Sequence, residues 1–341
     1  MSRAELFRIA TAGPADHTGL AELSAFDPST VRAVVGKTEG NGCVNDFSRE
    51  LAARSWGERL PGDPLTIMSG GTEGVLSPHV TLLAEVPDEP GGEPGALAIG
   101  VAKSDPIAPQ ALGRKAQVEA VAAAVKDACQ GSGIEPHDVS LALVKCPLLD
   151  ADALWRGAAE APGPITEDPY ESMSRSRGAS ALGVGLAVGE LDPAAVESGL
   201  DGDTTTWSAV ASTSAGREVR RCHVVVLGPA RSSRGRLRAT TVVMEDALDA
   251  GPAVAALKEI ETAGGRAVQI FAKAEADPSG SIRGHRHTML TDSDIGATRH
   301  ARAAVGGLLA GLTGQSDIYV SGGAEHQGPA GGGPVTIVWT T

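Results

Sequence analysis

Short apolar runs, mostly β-branched, recur along the chain, and three of them close on a lysine: VRAVVGK at Lys37, VSLALVK at Lys145 and RAVQIFAK at Lys273. Runs of this length and composition predict buried strands. A second type of strand follows each and closes on a serine: LTIMS at Ser69, WSAVASTS at Ser214 and DIYVS at Ser321. Small residues come next (Gly70-Gly71, Ala215-Gly216, Gly322-Gly323), then a further strand: HVTLLAEV, EVRRCHVVVLG and PVTIVWT. Between lysine and serine lies a helical pattern each time: VNDFSRELAARSW, MSRSRGASALGVGLAVGE and ATRHARAAVGGLLAGL. Each carries an arginine, namely Arg49, Arg177 and Arg302, with Arg299 competing for the third place. FRIATAG, ALAIGVAKS and LRATTVVME read as opening strands. The helices GRKAQVEAVAAAVKDACQ and GPAVAALKEIETAGG follow the second and third, and a shorter HTGLAELSAF follows the first.

One unit is therefore written three times: strand, helix, strand to lysine, arginine helix, strand to serine, strand. A sustained internal period of this kind outranks any local motif in assigning a fold. SGGTEG at 69–74 and SGGAEH at 321–326 are copies one and three of the same corner, and copy two has drifted to Ser-Ala-Gly. The turn-rich stretches EPGGEPG and GPARSSRGR predict boundaries that give units 1–95, 96–232 and 233–341. The class is α/β, in concatenated similar units.

Composition narrows the function. The chain has 341 residues, 42% of them hydrophobic but only 3% aromatic, with 44 Gly. Such a core suits tightly packed α/β layers with many turns. A net charge of −13 argues against nucleic acid or an anionic membrane as partner. No apolar run approaches membrane-spanning length, and the N-terminal stretch has no long apolar core of a leader. The four cysteines are scattered without a C-x-x-C spacing. The expectation is a cytoplasmic, enzyme-like protein without disulfides.

The repeated lysine, arginine and serine suggest chemistry. A serine hydroxyl needs a base, and a lysine serves when burial and neighbouring positive charge keep it neutral. Backbone N–H groups beside Gly70, Ala215 and Gly322 can approach an oxyanion closely. Three equivalent sets suit a six-membered ring with three alternating carbonyls, and so the cleavage of a cyclic amide. Taken singly, a lysine at a strand end is a solvated terminus and a serine before Gly-Gly is a turn; three in register weigh against that. Lys145 has apolar neighbours (Leu141, Leu143, Val144, Pro147, Leu148) and no acid nearby in sequence, whereas Lys37 has Glu39, and Lys273 has Glu275 and Asp277. The lean is to Lys145 as the neutral base. The set holds six cations, and no carboxylate is read into it; such a pocket favours an anionic ring.

Other signals compete. His285, His287, Asp292 and Asp294 contain an H-x-H spacing and support a rival metal-dependent amidohydrolase. A small-molecule binder that has lost activity is the non-enzyme alternative. GPAGGGP at 328–334 lacks the ending of a phosphate loop. Cys146 reads as a buried core thiol.

The stretches GKTEGNGCVNDFSRE, MSGGTEGVLSPH, SRSRGASALGVG, RGHRHTMLTDSDI, TRHARAAVGG and VSGGAEHQGPAGGGP resemble the cyanuric acid hydrolase/barbiturase family over essentially the whole chain. The resemblance implies three similar units around a pseudo-threefold axis, with one active site at the centre. It implies hydrolytic opening of a cyclic imide by a Ser–Lys dyad in a homotetramer. Lys145 would be the base and Ser214 the nucleophile. Lys37, Arg49, Ser69, Gly70, Arg177, Ala215, Lys273, Arg302, Ser321 and Gly322 would bind the ring. No cofactor is required for the chemistry. A structural divalent cation, Mg²⁺ or Ca²⁺, would lie at Glu275, Gln327 and the backbone of Ala324, Gly328, Pro329 and Gly332. Cyanuric acid, opened to carboxybiuret and then to biuret and CO₂, is expected over barbituric acid, because the Lys–Arg–Ser set is complete in all three units.

Overall fold

The computed structural model describes residues 2–24, 26–88, 92–157 and 161–341. Part of the turn-rich stretch at 89–95 therefore lies outside the described residues. Three four-stranded sheets follow one another along the chain. The first holds β1 (Ser2–Ala10), β2 (Val31–Thr38), β3 (Leu65–Gly70) and β4 (His79–Pro87), in the order β1-β4-β2-β3. The second holds β5 (Leu97–Pro106), β6 (Leu141–Pro147), β7 (Ala211–Gly216) and β8 (Arg221–Pro229), in the order β5-β8-β6-β7. The third holds β9 (Leu237–Met244), β10 (Arg266–Ala274), β13 (Tyr319–Gly322) and β14 (Gly333–Thr340), in the order β9-β14-β10-β13. A small hairpin, β11 (Ser281–Ile282) with β12 (His285–Arg286), is inserted in the third unit.

All three sheets share one topology. The lysine and serine strands pair in parallel. A parallel pair needs a crossover, and a helix supplies it each time. These helices are α1 (Phe47–Arg59), α4 (Pro169–Val188) and α7 (Ala297–Thr313). Helix α1 is N-capped by Asp46, which accepts from the Ser48 N–H at 3.0 Å. Helices α4 and α7 end on left-handed Gly189 and Gly314. α2 (Lys115–Ser132) and α6 (Gly251–Thr262) fill the other crossover in units two and three, while α3 (Ala151–Gly157) and α5 (Pro193–Leu200) are additions to unit two. In unit one, the described residues of HTGLAELSAF form a 3₁₀ turn over Thr18–Glu22. Five residues are too few to nucleate an α-helix without packing support.

Each sheet has helices on its outer face, over a separate apolar cluster. The inner faces converge on one shared core. Val35, Ile67, Leu143, Phe271 and Tyr319 meet there, with contributions from all three units. Side chains two residues apart on a strand share a face. Val35, Leu143 and Phe271 thus place Lys37, Lys145 and Lys273 on the same inner face, just above the core on the pseudo-threefold axis. The strands run one to two residues beyond each lysine rather than stopping there.

Candidate active site

The register of the parallel strands builds the site. Lys37 lies beside Ser69, Lys145 beside Ser214, and Lys273 beside Ser321. All six side chains are buried, so none of the lysines is a solvated strand end. Each ammonium donates to the carbonyl after its serine: Gly70 O at 3.1 Å, Ala215 O at 3.4 Å and Gly322 O at 3.3 Å. The units also interlock. Lys145 Nζ donates to Met68 O of unit one at 2.7 Å, and Lys273 Nζ to Thr213 O of unit two at 2.7 Å.

Each arginine reaches forward into the next unit. Arg49 donates to Ala215 O of unit two at 3.0 Å, and to Cys43 O at 2.6 Å. Arg177 makes a bidentate pair with Glu325 of unit three, its Nε at 2.7 Å. Arg302 closes the ring with a bidentate pair to Glu73 of unit one, its Nε at 2.8 Å. Between the two candidates on α7, Arg302 is the site residue: its side chain is 4% exposed against 38% for Arg299, which touches Glu73 only at 3.4 Å.

The expectation of a set without carboxylates is corrected here. Glu73, Glu218 and Glu325 each stand four residues after the repeated serine. They were legible as SGGTE, SAGRE and SGGAE, had the drift of the middle copy not ended the comparison at its third residue. The reason given for Lys145 is corrected too. Glu218 lies 2.9 Å from Lys145 Nζ, so Lys145 has an acid partner after all. Glu39, by contrast, is exposed. Sequence neighbours alternate across a strand and so misreport spatial ones.

Burial lowers all three lysines. Lys37 falls well below the usual range, with the Arg302 charge adding to burial. Lys273 falls to about 7 through burial and Arg177. Lys145 is lowered by burial and by Arg49, with Glu218 pulling the other way. Burial works against the Glu218 carboxylate, but Lys145 and Arg49 prevail and hold it below its ordinary value.

The serines divide two to one. Lys37 Nζ donates to Ser69 Oγ at 3.1 Å and Lys273 Nζ to Ser321 Oγ at 3.2 Å, and the two hydroxyls lie 3.4 Å apart. Ser214 Oγ is buried and makes no hydrogen bond to Lys145 or to another serine among the described residues. Tyr319, missed by the sequence reading, lies two residues before Ser321 on the axis side of β13. Its hydroxyl interacts with Ser214, Ser69 and Ser321, and burial pushes it up to about 12. Only its position at the core end of the axis marks it.

Gly70 has a steric reason to be glycine: a Cβ there would meet the Asp46 carboxylate at 1.7 Å. The following residues differ between units. Gly71 (φ 103°) and Gly323 (φ 76°) are left-handed, and a Cβ on either would strike the Arg302 or Arg177 guanidinium. Gly216 has no such φ and lies against Glu218 instead.

For a cation, the loop after Ser321 has the right donor type. The Glu275 carboxylate accepts from Gly331 N–H at 3.2 Å. Burial and the Glu325 charge hold it well above the usual carboxylate range, which is the state a hard cation with oxygen ligands would relieve. The carbonyls of Ala324 and Pro329 each accept one backbone N–H and keep a second lone pair. The Gln327 side-chain oxygen is taken by Thr213 N–H at 2.6 Å, so Gln327 would contribute its backbone carbonyl. The His285/His287 stretch does not join the site. His285 is exposed, His287 contacts Asp277 O, and Asp292 pairs with His300. Among the described residues no group of three or more His, Cys, Asp or Glu side chains could hold a metal.

Comparison with known proteins places this geometry. The model of a family described as amidohydrolase ring-opening protein matches residues 5–340. A cyanuric acid amidohydrolase of Pseudonocardia dioxanivorans is 52% identical, covering 99% of each chain. One from a Rhodococcus species is 49% identical over 99% of this chain and 96% of its own. A solved cyanuric acid hydrolase, described as an innovation by structural concatenation, superposes with a TM-score of 0.94 at 41% identity over 100% of both chains. Another, from A. caulinodans, gives 0.92 at 46% identity over 99% of both. The interlocked repeats, the central Lys–Ser ring and these full-length matches together make the chain a member of the ring-opening amidohydrolase family.

Proposed function

We propose that this chain opens cyanuric acid by hydrolysis, with Ser214 as nucleophile and Lys145 as its base. The observation that carries the reading is the division among the serines. Ser69 and Ser321 are held by their lysines and by each other, and Ser214 alone of the three has no hydrogen bond from its lysine or from another serine among the described residues. The ring lies on the axis with one carbonyl at each serine. Neutral Lys145 takes the Ser214 proton as Oγ bonds to the facing carbonyl carbon, whose π pair moves to oxygen. Collapse breaks the ring C–N bond, and the Lys145 proton goes to the departing nitrogen. Water then releases carboxybiuret, which loses CO₂ to give biuret. Lys37 and Lys273 polarise the other carbonyls, and Arg49, Arg177 and Arg302, held by protein carbonyls and by Glu325 and Glu73, complete the polar wall. The names of the full-length relatives support this choice of ring.

Units 1–95, 96–232 and 233–341, a homotetramer and a cytoplasmic location complete the reading. Four free cysteines, three of them buried, suit a reducing compartment. The cation at Glu275 and the 324–332 backbone would be structural: it would hold the loop that Ser321 opens. The deciding measurement is kcat/KM for cyanuric, N-methylisocyanuric and barbituric acid under one condition. A preference for barbituric acid would overturn the ring assignment and spare the dyad.

A further inference from the structure

The three glutamates that follow the serines are equivalent in sequence but not in space. Glu73 and Glu325 point outward onto the arginine of the preceding unit. Glu218 points inward onto Lys145, at 2.9 Å, and apart from that contact neither of its buried oxygens has a side-chain partner among the described residues. Arg49, the arginine that could have met it, donates to the carbonyls of Ala215, Gly42 and Cys43 and has Asp46 of its own unit 3.7 Å away as its acid.

The backbone explains the difference. In every unit, the segment after the serine crosses the end of the lysine strand to reach the last strand. In units one and three that crossing is long, residues 71–78 and 323–332, and starts on a left-handed glycine. In the middle unit it is only residues 217–220 and starts on Gly216, with no left-handed turn. A four-residue bridge over the end of β6 has no slack, so its Glu218 lies directly on Lys145.

We propose that Glu218 is the positioning residue of the dyad, fixing Lys145 Nζ beside Ser214 and balancing the ammonium that forms when Ser214 gives up its proton. The proposal rests on the reading of Ser214 and Lys145 as the reacting pair. Burial works against the ammonium that forms on Lys145 when it takes that proton. A carboxylate in contact restores basicity, as the third member of a nucleophile–base pair does elsewhere. Glu218 keeps its charge throughout, and the proton passes only from Ser214 Oγ to Lys145 Nζ and on to the leaving nitrogen. The other titratable or charged groups facing this pair are Arg49 from α1, Cys146 on the same strand and His223 opposite Lys145 on β8. Burial keeps His223 low and Cys146 high.

The test compares Glu218→Gln with Glu73→Gln, using S214A and K145A as references. Glu218→Gln is expected to lower kcat by roughly 100-fold or more with KM within about threefold. It is also expected to move the acid limb of kcat/KM to lower pH, because Lys145 loses the charge that raises it. Glu218→Asp keeps that charge. It is expected to leave the acid limb in place and restore part of kcat; if Glu218→Gln does not fold, a lowered kcat at unchanged KM in Glu218→Asp supports the proposal and an unchanged kcat overturns it. Glu73→Gln is expected to change KM without moving the limb. If S214A and K145A are inactive while Glu218→Gln keeps kcat within about threefold, or if both glutamine variants move the limb equally, Glu218 is only structural. Turnover surviving in S214A or K145A would overturn the dyad and this inference with it.

Discussion

The middle corner, Lys145–Ser214–Glu218, and the two flanking corners, Lys37–Ser69–Glu73 and Lys273–Ser321–Glu325, are built from the same residue types in the same register. They differ in who holds whom. In the flanking corners lysine binds serine and glutamate binds arginine. In the middle corner glutamate binds lysine and the serine has no hydrogen bond from its lysine. A hydroxyl already accepting from an ammonium has its lone pair engaged and serves as a binding group. A hydroxyl without that bond, beside a lysine with a counter-charge, is arranged to react. Repetition thus supplies three copies of one set of side chains, and a shorter connection is enough to give one of them a separate job.

The largest expected effect breaks that contrast at the serines. Ser214→Ala should reduce kcat by about 1,000-fold or more, as loss of an activated nucleophile does. Ser69→Ala and Ser321→Ala should act mainly on KM. Steady-state kinetics of the three variants decide it; equal kcat losses in all three would erase the distinction.

The arginines give the next contrast, in stability. Arg302→Ala leaves the half-buried Glu73 carboxylate with Arg299 at 3.4 Å and should cost about 1–3 kcal/mol. Arg49→Ala removes contacts to carbonyls and also leaves the buried Asp46 carboxylate, 3.7 Å away, without its cation, and should cost about 3–5 kcal/mol. Urea unfolding of both variants measures the gap.

The histidines opposite two of the lysines separate by pH. His79 pairs with Lys37 across the sheet, and burial lowers it to about 4. Its Nδ1 contacts Ser77 O at 2.8 Å, and Nε2 has no partner among the described residues. The unfolded chain takes up this proton near pH 6.5, so the contribution is whole above that value. It is lost as pH falls towards 4, to a limit of about 3 kcal/mol. His79→Gln should flatten this part of the stability–pH curve, which denaturation at pH 7 and pH 5 would show.

The smallest effect concerns the residue after the serine. Gly70→Ala forces a Cβ into the Asp46 carboxylate and should cost about 1–3 kcal/mol. Ala215→Gly opens space in a strand and should cost under about 1 kcal/mol. Their melting temperatures should differ in that order.

Much was legible in the sequence. The threefold unit, its strands and arginine helices, and the Lys, Ser and Arg positions follow from period and composition alone, because a buried strand and a crossover helix each leave a local pattern. Tertiary structure decided what local pattern cannot carry. Which of Arg299 and Arg302 turns inward depends on how α7 packs, and the place of Tyr319 depends on three sheets meeting at one axis. The acid on Lys145 sits 73 residues away in sequence, at Glu218. It arrives there because a four-residue connection spans the end of β6, while longer ones carry Glu73 and Glu325 away from their lysines. Residue types are written locally. The pairing among buried charges is set by chain segments that meet only after folding, where low dielectric makes each contact count.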